Sequence, residues 1–213
     1  MQDVTYREIK TTDFDALQSL INQTWQVDTF IHGKKTLDRL LHLYLSACLL
    51  GSSFGWVAQK DGSVVGIILG RKKKDRPHLR RLVLLPRMVL NLLLLLCSSK
   101  SDRKTIKEYS KVFVVYRDLL AEGKQHFDGE LVFLAVSSAC RGLGIGKTLV
   151  TDLINYFERE SVHSIYLYTD TKCNYRFYDS QGFSCLAEKK INLTLNNKVE
   201  DLHIFLYCRN IDS

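Results

Sequence analysis

The residues best suited to chemistry lie between Glu130 and Lys147: Glu-Leu-Val-Phe-Leu-Ala-Val-Ser-Ser-Ala-Cys-Arg-Gly-Leu-Gly-Ile-Gly-Lys. An apolar run of strand length passes into a turn containing Gly142, Gly144 and Gly146, and then into a helical pattern. The N–H groups that open a helix lack internal partners, and the helix dipole adds partial positive charge to them. Glycines remove side chains from the approach, so a phosphate can reach those donors. The stretch reads as a pyrophosphate cradle. It is not a P-loop: Gly146-Lys147-Thr148 fits the tail of that motif, but Arg141 stands where its first glycine belongs. A dinucleotide fingerprint also fails, because Gly142-x-Gly144-x-x-Lys147 lacks the third glycine.

The elements that must position this turn can be read on either side of it. Val4 to Ile9 alternates like a half-buried strand, and Thr11-Thr12-Asp13 offers capping side chains to a helix. Phe14, Leu17, Ile21 and Trp25 follow at spacings of three and four, one apolar helix face. Thr36 to Leu50 reads as a second helix stopped by Gly51. Phe54 to Gln59 and Ser63 to Leu69 read as strands of a hairpin around Lys60-Asp61-Gly62. Then come a strand from Glu130 to Val136, a helix from Gly144 to Glu160, and a strand from His163 to Tyr168. A short helix from Asn174 to Ser180 ends at Gly182. Two closing strands, Cys185 to Leu195 and Val199 to Cys208, flank a tight turn at Asn196-Asn197. The strand-helix-strand order in the second half requires a parallel pair, whereas the hairpins are antiparallel. The fold class is therefore α/β (mixed α+β), a central mixed sheet flanked by helices. With 213 residues and no linker-like tract, one domain covers 1–213.

Residues 71–128 interrupt this order as a basic and apolar helical insert, with no clear strand. From Arg71 to Arg87 eight basic residues accompany one acid, Asp75, which accounts for the whole net charge of +7. Such a segment is either a solvated face or a contact for an anion, whether phosphates, an acidic substrate or a lipid surface. Leu82 to Cys97 is strongly apolar but falls short of about 20 residues and contains Pro86 and Arg87, so it is not read as a membrane span. Ile106, Tyr109, Phe113, Tyr116 and Leu120 recur at helical spacing. The insert is expected to be two or three helices, serving as extra core or as a lid over a cleft. An exposed leucine run would favour a homodimer. The six cysteines show no close pairing suited to a metal, and none is expected. With no basic-then-apolar start, the expected compartment is cytoplasmic. Neither a nucleic-acid partner nor a transmembrane segment is expected.

A second motif adds to the first. Arg141-x-x-Gly144-x-Gly146 resembles the acyl-CoA signature of the GNAT superfamily of N-acetyltransferases, and Phe177-Tyr178-x-x-x-Gly182-Phe183 resembles that superfamily's downstream Phe-Tyr-x-x-x-Gly-Phe segment. The order of elements matches along the chain apart from the insert. The resemblance implies a GNAT-like acyl-CoA acyltransferase fold in which the strand ending at Val136 splays from its parallel neighbour to admit pantetheine. It implies cofactor contacts from Leu134, Ala135 and Val136, from Arg141, Gly142, Leu143, Gly144, Ile145, Gly146 and Lys147, and from Asn174 and Phe177. Leu134 and Val136 would bond pantetheine through the backbone, and the Val136 N–H would polarise the thioester carbonyl. Tyr178 stands where the superfamily protonates the departing thiolate, and Glu130 resembles the base glutamate of its histone-acetylating members. Ser138 and Cys140 depart from the proline and aromatic residue common before the arginine. Thr171 and Asn174 depart from the usual Asn and Ala. The implied activity is direct acetyl transfer from acetyl-CoA to a primary amine of open identity. The alternatives are a CoA-binding regulatory module without turnover and a peripheral membrane-associated acyltransferase.

Overall fold

Alternation along the strands and three- and four-residue spacing along the helices produce a seven-stranded mixed sheet covered by helices. The computed structural model describes residues 4–73, 83–195 and 198–211. In chain order the elements are β1 (Val4–Glu8), α1 (Phe14–Trp25), α2 (Lys34–Gly51), β2 (Phe54–Lys60), β3 (Ser63–Lys72), α3 (Leu85–Leu96), α4 (Lys100–Glu122), β4 (Gly129–Val136), α5 (Ile145–Arg159), β5 (Ser164–Asp170), α6 (Arg176–Asp179), β6 (Ser184–Leu195) and β7 (Lys198–Asn210). The sheet order is β1-β2-β3-β4-β5-β7-β6, with β4 and β5 the parallel pair and the other pairings antiparallel.

The β2–β3 hairpin turns on Asp61 (φ 50°) and Gly62 (φ 78°), two consecutive left-handed residues that match the twist of the flanking strands. Asn196-Asn197 lies outside the described residues. One face of the sheet carries α5. Leu149, Leu153, Ile154 and Phe157 pack there with Ile68, Leu131, Ile165 and Leu167. The helix comes close because β3 presents Gly70, where a Cβ would lie 2.2 Å from Leu153 Cδ1. The opposite face carries α1 and α2, whose Leu17, Leu20, Ile21, Leu41 and Leu45 cover Val57, Ile67, Leu69, Phe133 and Ala135. Each such side chain contributes about 1.5–3 kcal/mol when fully buried, so these layers fix the strand positions.

The insert differs from expectation in three respects. Strand β3 runs on to Lys72, pairing Arg71 with Glu130 and Lys72 with Gly129, so the basic segment begins inside the sheet. Lys74 and the residues up to 82 lie outside the described residues. Helix α4 packs on β6 and β7, where Val115 and Leu119 meet Leu193, Leu202, Ile204 and Leu206. Phe113, assigned to its apolar stripe by spacing, is 61% exposed; the buried stripe passes one position away, through Val112, Val115, Tyr116 and Leu119. Helix α3 rests on α2 with most of its leucines outward, so it is not extra core.

Candidate active site

The turn before α5 has the form required of an anion cradle. Gly142 and Gly144 sit in the left-handed region at φ 79° and 77°. A Cβ at either would meet nothing within 4 Å, so these glycines serve the path of the backbone and leave open space above it. The first helical bond runs from the Thr148 N–H to the Gly144 carbonyl. Among the described residues, no protein acceptor serves the consecutive N–H groups from Gly142 to Lys147. Arg141, Leu143 and Lys147 are exposed beside them, while the Ile145 side chain is buried and anchors the helix start. A Cβ at Gly146 would stand 3.4 Å from the Phe177 ring, which sets this end of α5 against α6. Unmet donors and two exposed cations fit a pyrophosphate.

The strand leading into the cradle leaves its neighbour. β4 and β5 pair only at Gly129–Ile165 and Glu130–Tyr166, although β4 continues to Val136 and β5 to Asp170. Beyond Glu130 the edge of β4 facing β5 is therefore without a strand partner, and Leu134, Ala135 and Val136 lie along it. On its other side β4 carries a bulge: Leu69 pairs with Phe133 and Gly70 with Leu131, leaving Val132 as the extra residue. The gap beside Leu134 and Val136 can admit a slender chain that hydrogen-bonds to backbone, and it leads directly to the cradle.

Tyr178 comes from α6 and is 9% exposed, surrounded by Phe177, Phe183 and Tyr207. Burial raises its pKa, and Cys173 and Asp170 nearby add to the effect, so the phenol keeps its proton at neutral pH. Asn174 is exposed, and its carbonyl accepts from the Phe177 N–H at 3.1 Å. Glu130 accepts from Arg71 in an ion pair and from the Tyr166 hydroxyl at 3.0 Å. It lines a cavity of about 400 Å³ with Arg71, Lys73, Tyr166, Leu120 and Ser53. The cavity lining includes Glu130 and Tyr166, the last pair before β4 and β5 part.

Sequence reasoning missed Asp170. Counting on from the Glu130–Tyr166 pair, Leu134 and Asp170 stand four residues beyond it on the parting strands, about 13 Å further along. The Asp170 carboxylate accepts from the Lys172 N–H at 2.8 Å and its carbonyl from the Cys173 N–H at 3.1 Å, with the Cys173 thiol and the Trp25 indole close by. Burial raises the pKa of Asp170 and pushes the Cys173 thiol up to about 12. Aromatic side chains cover this side: Trp25 packs on Tyr44 and Phe133, and Tyr116 of α4 stacks on Tyr168 at 4.1 Å. The period-two run Tyr166, Tyr168, Asp170 was the available signal, since it places all three on one face of β5.

Parting parallel strands, a bulged β4 and an open phosphate cradle define the class as a GNAT-type acyltransferase fold. Comparison with known proteins agrees. Residues 108–183 match the family model described as the Acetyltransferase (GNAT) family. The yncA structure from Salmonella typhimurium, solved with its cofactor acetyl-CoA, superposes with a TM-score of 0.56 at 18% identity over 99% of this chain and 95% of that one. The ribosomal-protein-alanine N-acetyltransferase of Brucella melitensis gives 0.55 at 19% identity, over 97% and 99%. An N-acetyltransferase from Staphylococcus aureus Mu50 gives 0.55 at 14% identity, over 99% of each. No curated protein matches the sequence. Residues 108–183 are thus similar to the acetyltransferase (GNAT) family, whose members use acetyl-CoA, and the chain as a whole shares the fold of these acetyltransferases.

Proposed function

We propose that the protein transfers the acetyl group of acetyl-CoA to a primary amine by direct attack, with no covalent enzyme intermediate. The observation that carries this reading is the gap between β4 and β5, which opens beside Leu134 and Val136 and leads to the unmet donors of Gly142 to Lys147. In this reading Arg141, the turn backbone and Lys147 hold the pyrophosphate. Backbone groups of Leu134 and Val136 hold the pantetheine, Ala135 lies between them, and Asn174 and Phe177 flank the chain. The Val136 N–H donates to the thioester oxygen as negative charge develops on it.

An amine is mostly protonated at neutral pH, so a base must take one proton before the nitrogen lone pair attacks the carbonyl carbon. Two carboxylates are candidates. Glu130 lines the cavity but is engaged by Arg71 and Tyr166, which suits it to orienting an ammonium group or relaying its proton through water. Asp170 stands level with Leu134, and its raised pKa brings its proton affinity closer to that needed near neutrality. We assign the base to Asp170, with Glu130 at the entrance. When the C–S bond breaks, the Tyr178 hydroxyl gives its proton to the thiolate and the nitrogen's remaining extra proton restores the phenol through water, leaving the acetylated amine and free CoA thiol, while the proton on Asp170 passes to solvent.

The test is CoA-thiol release with a panel of amines, alongside thermal unfolding with and without acetyl-CoA. Tyr178→Phe should lower kcat by roughly a hundredfold or more while retaining the ligand-induced shift. Full turnover by that variant across the pH range would refute the acid role. A shift without amine-dependent thiol release from any acceptor class would favour a CoA-binding regulatory module.

A further inference from the structure

Helix α3 turns its apolar side to solvent. Asn91, the one uncharged polar residue within it, is 9% exposed, and Leu95 is likewise buried, on the side that rests on α2. At 100° per residue the opposite half carries Leu85, Val89, Leu90, Leu92, Leu93 and Leu96, each between 38% and 64% exposed. Arg87 lies outside that arc, about 40° from Asn91 around the helix. Apolar patches of this extent seldom stay bare on a folded protein.

The charges that follow the helix indicate what covers it. Lys100, Arg103 and Lys104 follow the helix and are exposed; Arg103 Nη1 donates to the Leu96 carbonyl at 2.7 Å, holding that cation against the helix end. The one acid among them, Asp102, is buried and accepts from the His32 N–H at 3.3 Å. We propose that α3 lies flat in the surface of an anionic lipid bilayer, its leucines among the acyl chains and Lys100, Arg103 and Lys104 against the headgroups. A helix of 12 residues is about 18 Å long, too short to cross a bilayer but suited to lie in its interface. A second copy of the chain is a poorer match, because a twofold contact through this face would bring two cation-flanked helices together.

The experiment is co-sedimentation of the whole protein with vesicles of phosphatidylcholine alone and of phosphatidylcholine containing about 30 mole per cent phosphatidylglycerol, at low and high salt. Binding is expected to the anionic vesicles and should weaken at high salt. The double variant Leu90→Glu/Leu93→Glu should partition roughly a hundredfold less, because two side chains lose their apolar burial. Both positions are more than half exposed, and an unchanged thermal midpoint would verify folding. Lys100→Gln/Lys104→Gln should weaken binding to the anionic vesicles only. The proposal is overturned if the wild type does not sediment with anionic vesicles, or if the double-glutamate variant sediments equally well. A solution dimer that Leu93→Glu separates, with no vesicle binding, would assign the face to a second copy instead.

Discussion

Replacing Gly144 separates backbone strain from ligand occupancy. At φ 77° a side chain costs about 1–2 kcal/mol of left-handed strain, and with nothing within 4 Å of its Cβ no steric contact inside the protein adds to it. Gly144→Ala and Gly144→Asp should therefore both fold, with midpoints lowered by about 2–8 °C at about 2–4 °C per kcal/mol for a chain of this size. They should part on acetyl-CoA. A carboxylate at this position would stand about 5 Å from a phosphate on the turn N–H groups, and one such charge pair repels by about 3 kcal/mol at an effective dielectric of ~20. Solvent screening in an open turn reduces that, so the expected loss of affinity is at least about tenfold. Scanning fluorimetry across an acetyl-CoA titration reads this directly. At about a hundredfold over the dissociation constant the wild type should gain roughly 2.7 kcal/mol. The alanine variant should keep most of that gain, and the aspartate variant should need at least about tenfold more ligand to reach it. An aspartate variant that titrates like the alanine variant would refute the cradle, as would a wild type with no shift at millimolar acetyl-CoA.

Three further outcomes follow from named contacts. The raised pKa of Asp170 means that the folded state holds its proton longer than the unfolded chain, so this group's contribution falls as pH rises above the ordinary value of 3.8. Asp170→Asn should thus gain stability relative to wild type with rising pH in urea titrations, while the acidic limb of its pH–rate profile disappears; an unchanged limb would exclude it as the base. Asp13 accepts two bonds from Arg7, both at 2.8 Å, and one from the Lys10 N–H, which together hold its carboxyl below the usual range. Asp13→Ala should cost about 1–3 kcal/mol at neutral pH, by urea midpoint, and the difference should shrink as pH falls through that lowered pKa. Gly70→Ala should destabilise by about 1–3 kcal/mol through overpacking against Leu153, and Leu153→Ala in the same chain should restore part of the loss.

Much of the local structure was legible in the sequence because its causes are local. Spacing of apolar residues located α1 and α4, Asp61-Gly62 marked the hairpin, and Gly142, Gly144 and Gly146 marked the turn before α5 from residue types alone. The order of elements implied a parallel pair in a mixed sheet. The resemblance then supplied the splay between β4 and β5, which no property of either strand encodes.

Tertiary structure alone decided which neighbours those elements met. The Val132 bulge depends on β3 pairing with both sides of it, and the level of Asp170 depends on the two-pair register between β4 and β5. Glu130 meets Arg71 because β3 runs three residues past its apolar run, where pairing with β4 outweighs the charges. Phe113 has the spacing of a buried residue yet faces out, and α3 buries Asn91 while exposing its leucines. A period describes the faces of a helix; which face is covered depends on what packs against it, and among the described residues α2 is the main element packed on α3.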